Sequence, residues 1–157
     1  MFKISTAFIK DQIPGVTLNQ LISIYKRTLE DQSVSHISVN ADKIDFSNNT
    51  FKIVLARYSN KFSGFTNGSI EIIDTETELV VYFQARLTRL FVSAAFIAGI
   101  ATLFLLLTSG FNIFPPVTGL IIFALLSIVG YISANISFPV YFTALRNNIE
   151  RELQGIQ

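Results

Sequence analysis

The most informative part of the sequence is residues 90–145, LFVSAAFIAGIATLFLLLTSGFNIFPPVTGLIIFALLSIVGYISANISFPVYFTAL. It contains no Asp, Glu, Lys, Arg or His, although the whole chain carries 12 basic and 11 acidic residues. A helix needs about 20 apolar residues to cross roughly 30 Å of hydrocarbon. The stretch therefore has room for two membrane-spanning helices and a connection, and it is too short for three.

The connection between the two predicted spans is marked by residues that end and begin helices. Gly110 suits the position just after a helix, and Pro115 and Pro116 suit the first turn of the next one. We predict spans at about 87–108 and 116–135. The Leu, Ile, Phe and Val residues of the first span alone favour insertion by about 3–6 kcal/mol. The alternative, a buried hairpin in a soluble protein, leaves only roughly 100 residues to cover two apolar helices.

Basic residues flank the two spans and set the predicted orientation. Arg86 and Arg89 lie at the start of the first span, Arg146 and Arg151 follow the second, and the connecting loop is uncharged. The positive-inside bias then puts both termini in the cytoplasm and the loop outside. The composition, rich in Ile, Phe, Asn and Ser and without Cys or Trp, looks bacterial, so the expected location is the bacterial inner membrane.

Short strand patterns and one helical pattern fill the chain before the first span. Alternating apolar residues predict strands at 2–9, 35–39, 43–46, 51–58, 69–73 and 78–84. Thr17 and Gln20 fit a capping box that opens a helix ending near Asp31. We therefore predict a small α+β domain, a mainly antiparallel sheet with one helix on a face.

The predicted organisation has three parts: the α+β domain at 1–85, the two-helix transmembrane hairpin at 86–136, and a short C-terminal amphipathic helix at 137–157. Pro139 favours a kink or a restart of the helix after the second span. An apolar stripe in the tail is formed by Tyr141, Leu145, Ile149 and Leu153. The tail docks on the front domain, lies at the membrane interface or binds a partner.

Two sets of side chains within the spans favour helix packing. The small residues of the first span are Ala94, Ala95, Ala98, Gly99 and Thr102. They allow the close approach of another helix, which is either the second span or a further subunit. The polar residues that share one face of the second span are Ser127, Tyr131 and Asn135. They hydrogen-bond to another helix or line a pore.

The residue types give little support for chemistry. His36 is a lone histidine on the polar side of a strand, and Asp74, Glu76 and Glu78 form a solvated hairpin tip without the ligand spacing of a metal site. A net charge of +1 argues against a nucleic-acid partner. We predict no catalytic, cofactor or metal residue.

The loop 58–68 carries two aromatic residues, Phe62 and Phe65. They either pack into the small core or contact a partner or the bilayer surface.

Three functional classes fit this organisation. The first is a non-enzymatic small subunit or scaffold of a membrane protein assembly, which recruits a partner through its cytoplasmic domain, the loop 58–68 or the tail. The second is a membrane-anchored sensor or regulator whose domain binds a ligand or lipid. The third is a homo-oligomeric channel. The expected partners are the lipid bilayer and other membrane protein subunits, and no cofactor is expected.

Overall fold

The computed structural model describes residues 1–48, 61–62, 64–110 and 113–155. Within these ranges the elements are β1 (Phe2–Ile9), α1 (Leu18–Asp31), β2 (His36–Asn40), β3 (Lys43–Ser47), β4 (Asn67–Asp74), β5 (Glu78–Arg86), α2 (Thr88–Ser109) and α3 (Phe114–Leu153). The order confirms an antiparallel sheet followed by two long apolar helices. The predicted strand at 51–58 and part of the loop 58–68 lie outside the described residues.

The described strands form one antiparallel sheet in the order β1-β5-β4-β3-β2. Alternate side chains of a strand point to opposite faces. On β5 one face is therefore formed by buried residues, Leu79, Val81, Phe83 and Ala85. The opposite face of the same strand is less buried, with Tyr82 40% exposed. One face of the sheet is thus covered and the other is open.

Helix α1 covers part of the buried face, and its first turn is fixed by the predicted capping box. The Thr17 hydroxyl accepts from the Gln20 backbone N–H at 3.3 Å, and the Gln20 side chain accepts from the Thr17 backbone N–H at 2.9 Å. These bonds satisfy donors that a helix start otherwise leaves unpaired. The apolar stripe of the helix, Leu21, Ile22, Tyr25 and Leu29, is buried.

Helices α2 and α3 form an apolar hairpin whose outer surface is uncovered. Both are long and apolar enough to cross a membrane, and only 11% of the most apolar 18-residue window of each is buried. A core helix of a soluble protein would be mostly covered by its own domain. Instead, large side chains such as Phe104 and Leu107 are 65% and 79% exposed.

The prediction of a separate short C-terminal helix at 137–157 is wrong, because α3 is one continuous helix of 40 residues. Pro139 lies inside it, although a proline in a helix interior costs about 3 kcal/mol. Phe138 and Phe142, on either side of the proline, are buried against the sheet at 4% and 1% exposure. Burial of two aromatic rings outweighs the local cost, so the helix continues through the proline.

Candidate functional site

The candidate site is the junction at which the sheet meets the hairpin. Strand β5 ends at Arg86, and α2 begins at Thr88. Thr66 fastens this junction, since its backbone N–H donates to the Arg86 carbonyl at 2.9 Å and its hydroxyl accepts from the Arg89 backbone N–H at 2.8 Å. Because no flexible linker intervenes, the orientation of the sheet is tied to that of α2.

Helix α3 makes the second connection through a cluster of aromatic rings around Phe138. Its ring centroid lies 4.7 Å from that of Phe83, 4.8 Å from that of Phe65 and 5.4 Å from that of Phe2. Such edge-on and tilted pairs each add about 0.5–1.5 kcal/mol beyond the area that they bury. The cluster therefore packs α3 on the sheet at the position where the apolar first half of α3 ends.

Phe62 and Phe65 take part in this cluster and are 1% and 2% exposed. The buried side chain of Asn48 fixes their backbone, because its amide donates to the carbonyl oxygens of both at 3.1 Å. Of the two alternatives for these rings, the structure has them in the core. They are therefore not an exposed contact surface.

The tail, the end of α3, packs on the front domain beside α1, the first of its three alternatives. Ile149 is 2% exposed, and Tyr141, Leu145 and Leu153 pack against the core. Polar contacts continue along the helix, with an ion pair between Arg27 and Glu152 at 2.7 Å. This exposed pair contributes little to stability, so apolar burial holds the tail in place.

The four arginines that flank the predicted spans have different surroundings. Arg86 and Arg89 lie at the junction. The Arg146 guanidinium instead lies over the Phe8 ring at 5.8 Å and donates to the Ala7 carbonyl at 3.2 Å. Arg146 also pairs with Glu150 at 3.2 Å, and Arg151 donates to the Asn148 side chain. The second pair thus lies along the domain and away from the junction.

The small residues of α2 divide into two groups. Ala94 and Ala98 are buried, and a Cβ at Gly119 of α3 would overlap the Thr102 hydroxyl. Thr102 is held by its own bond to the Ala98 carbonyl at 2.8 Å. This group packs on α3. Ala95 and Gly99 are exposed, and a Cβ at Gly99 would meet no atom within 4 Å among the described residues.

The polar residues of the second span are separated in the same way. Ser127 is 9% exposed, whereas Tyr131 is 52% exposed. The Asn135 side chain is exposed and donates to the Tyr131 carbonyl at 2.8 Å. The three residues therefore differ in burial along α3, with Ser127 covered and Tyr131 and Asn135 uncovered.

Two basic residues at the junction, Lys3 and Lys61, escaped the sequence analysis. Strand pairing brings Lys3 opposite Gln84, two residues before Arg86. Both lysines and Arg86 are exposed. The signal that points to Lys3 is the strand pattern at 2–9, but its pairing with a strand almost eighty residues later is not readable from spacing.

Among the described residues no group of three or more His, Cys, Asp or Glu side chains lies close enough to hold a metal ion. His36 is exposed at the start of β2, and Asp74 pairs with Lys10 at 2.6 Å. Glu76 and Glu78 belong to the same hairpin tip, far from the junction. The acidic tip thus has a structural partner in Lys10, just after the end of β1.

Tyr25 is the buried titratable group nearest to the tail. Its ring stacks on Phe142 with centroids 6.1 Å apart, and its hydroxyl has no hydrogen-bond partner among the described residues. Desolvation by burial raises the pKa of Tyr25 above its ordinary value of 10.0, and the charge of Arg146 opposes this increase. The buried hydroxyl without a described partner is therefore a cost to the stability of the fold.

The described residues form a structural junction with exposed cations and no reactive group of side chains. Comparison of the chain with protein-family models, with curated proteins and with solved structures found no match. Function is therefore inferred from the geometry of this chain alone.

Proposed function

We propose that the chain is an integral membrane protein of the bacterial inner membrane, with α2 and residues 116–135 of α3 crossing the bilayer. The exposed apolar surface of both helices supports this, since lipid is the solvent that makes such exposure favourable. The uncharged outer connection and the cations at the junction favour a cytoplasmic domain and cytoplasmic termini.

Within the membrane the chain acts as a non-enzymatic small subunit or scaffold of a protein assembly. The observation that carries this proposal is the open surface at Gly99. Glycine in a helix interior costs about 1 kcal/mol relative to alanine. Packing within the hairpin does not offset that cost at Gly99, because no described atom lies within 4 Å of the position that a Cβ would occupy. Close approach of a further subunit's helix explains the residue.

On the cytoplasmic side, recruitment through Phe62, Phe65 or the tail gains no support, because these side chains are covered by the domain itself. The open face of the sheet, which carries Tyr82 at 40% exposure, is one surface that the described residues leave accessible to a partner. The proposed scaffold thus contacts other subunits through α2 in the membrane and through the sheet outside it.

The test is the substitution Gly99→Leu, with Ser93→Leu as the matched control. Ser93 is also exposed on α2 and lies about 120° around the helix axis from Gly99. Purification from membranes in mild detergent is expected to yield co-purifying subunits with the native chain and with the control, and to lose them with Gly99→Leu. A native chain that elutes only as a monomer would contradict the proposal.

A regulator is the second candidate, favoured by the two direct connections between domain and hairpin at Arg86–Thr88 and at Phe138. A Gly-Ser spacer between Leu87 and Thr88 would free one of them. The spacer variant is expressed in cells that lack the native chain. If the chain is a scaffold, the variant should restore both the assembly and its activity. If the chain is a regulator, the variant should restore the assembly but not the control of its activity. The homo-oligomeric channel stays a prediction, tested by conductance in planar bilayers and its loss in Ser127→Ala or Asn135→Ala.

A further inference from the structure

The end of the sheet that faces the hairpin is lined by exposed cations. The strand register aligns Arg86 with Asn67, Asn67 with Ser47, and Ser47 with His36 in one row across the sheet. Since α2 begins two residues after Arg86, this row is the part of the domain nearest to the hairpin. In a membrane-spanning chain it lies at the bilayer surface.

Two of the cations are neighbours on the open face of the sheet. Lys3 is opposite Gln84 on β5, so Arg86 is its diagonal neighbour on the same face. Side chains in this relation have backbones about 7–8 Å apart, within reach of one phosphate for long basic side chains. Within the described residues neither Lys3 nor Arg86 forms an ion pair, so their charges are unneutralised.

A shallow recess of about 300 Å³ lies beside these cations. Its polar lining includes Asn67, Ser69, Gln84 and Arg86. Asp45 also lines it, but its carboxylate pairs with Lys43 at 3.0 Å. The recess therefore presents hydrogen-bond donors together with a net positive charge, which suits a phosphodiester oxygen.

The third cation, Lys61, lies on the other side of the junction. Its backbone N–H donates to the Gln32 side chain at 2.9 Å, which fixes it near the end of α1. The next residue, Phe62, packs on Phe138 with ring centroids 5.4 Å apart. Lys61 is therefore held next to Phe138, where the apolar first half of α3 ends. Its side chain is exposed.

The end of the sheet that lies away from the hairpin carries mainly acidic side chains. Asp74 and Glu78 flank the β4–β5 turn, with Glu76 within it and Asp42 at the neighbouring turn. Strand β5 has nine residues, so this end is about 26 Å from the junction. Lys10 also lies at this end and pairs with Asp74. The carboxylates outnumber it, so the domain is electrically polarised with its basic end toward the hairpin. An anionic surface at the junction would find complementary charge.

We propose that Lys3, Lys61 and Arg86 bind the headgroups of anionic phospholipids in the leaflet next to the junction. The occupant is a lipid because the site lies directly beside two helices that cross the bilayer, an arrangement that rests on the proposed membrane insertion. Bound headgroups hold the domain against the membrane on both faces of the sheet. Arg89 is 6% exposed and takes no part.

The test uses the full chain in phosphatidylcholine vesicles and electron spin resonance of spin-labelled lipids. The fraction of motionally restricted label is compared for phosphatidylglycerol and phosphatidylcholine. The native chain is expected to restrict phosphatidylglycerol more strongly, and high salt is expected to weaken this preference. Each cation removed should lower the relative association constant by up to about fivefold.

The variant Lys3→Gln, Lys61→Gln, Arg86→Gln is expected to lose the preference. Its matched control, Lys10→Gln, Lys26→Gln, Arg151→Gln, removes the same charge away from the junction and is expected to keep it. A second variant, Lys3→Arg with Lys61→Arg, keeps the charge and should also keep the preference. Equal loss in the triple variant and its control would overturn the proposal.

Failure of the membrane proposal gives a different result in the same experiment. A chain that does not span the bilayer restricts neither lipid. A chain that spans it without this site restricts both lipids equally, which would overturn the headgroup proposal alone.

Discussion

The two halves of α3 have similar backbones and opposite surroundings. In the first half Leu120 is 70% exposed and Val129 is 63% exposed, although both are fully apolar. In the second half Phe142 and Ile149 are buried at 1% and 2% exposure. Both halves of the helix therefore keep apolar surface away from water. The first half does so in the proposed lipid, and the second half does so by packing on the sheet.

The stability of the domain depends on the second half of α3. The described residues before α2 provide a sheet and one helix, which form a small core on their own. The second half of α3 completes it by covering the β1 side of the sheet, beside α1. The domain therefore depends on a segment that comes after the hairpin, and the hairpin closes a loop between its two parts.

The largest effect is expected where the two halves meet, at Phe138. Phe138→Ala removes the ring that touches Phe2, Phe65 and Phe83, and it should destabilise the domain by about 3–5 kcal/mol. The measurement is denaturant unfolding of the purified chain in detergent. Phe104→Ala on α2, where the ring is 65% exposed, should change domain stability by less than about 0.5 kcal/mol. Equal effects of both substitutions would break the comparison.

Pro139 lies between the two halves of α3, within one continuous helix. Pro139→Ala restores a backbone N–H and removes a clash with the preceding turn, so it should stabilise the chain by up to about 3 kcal/mol. Thermal unfolding followed by circular dichroism gives the shift. An unchanged midpoint with increased helical content would indicate two separate helices and contradict the account.

The contact between α2 and the first half of α3 is tested at Gly119. Gly119→Ala pushes the Thr102 hydroxyl out of its bond to the Ala98 carbonyl, and it should cost about 1–3 kcal/mol. Gly99→Ala is the matched control and should be neutral or stabilising. Thermal stability in mild detergent distinguishes them, and a reversed order would mean that the helices pack through the other face.

The smallest effect is expected at Tyr25, under the second half of α3. Tyr25→Phe removes a buried hydroxyl without a described partner and should be neutral or stabilising by about 1 kcal/mol. The raised pKa means that Tyr25 keeps its proton in the folded chain while the unfolded chain loses it above pH 10. Titration of this group therefore leaves the free energy of unfolding unchanged below pH 10 and lowers it as pH rises further.

The free energy of unfolding measured between about pH 9 and 11 checks this pH dependence, because that interval brackets the ordinary tyrosine pKa of about 10. The native chain should lose more stability over that interval than Tyr25→Phe does. Parallel curves would show that the hydroxyl is solvated.

The local features of the fold were predictable because their causes are local. The Thr17–Gln20 capping box and the helix-breaking Gly110 are within a few residues of the structures that they define. The continuation through Pro139 was missed because its cause, burial of Phe138 against residues far away in the chain, is tertiary. The placement of Lys3 beside Arg86 was missed for the same reason, since strand register across a long separation decides it.

The central claim is that lipid surrounds the first half of α3, whereas the domain covers the apolar side of the second half. The most direct test is labelling of single cysteines in native membranes with a water-soluble maleimide. The chain contains no Cys, so each introduced thiol is unique. Leu125→Cys, 57% exposed in the isolated chain, should stay unlabelled, while Asn147→Cys should react once both sides of the membrane are accessible to the reagent. Equal labelling at both positions in intact bilayers would mean that water, and not lipid, surrounds the first half of the helix.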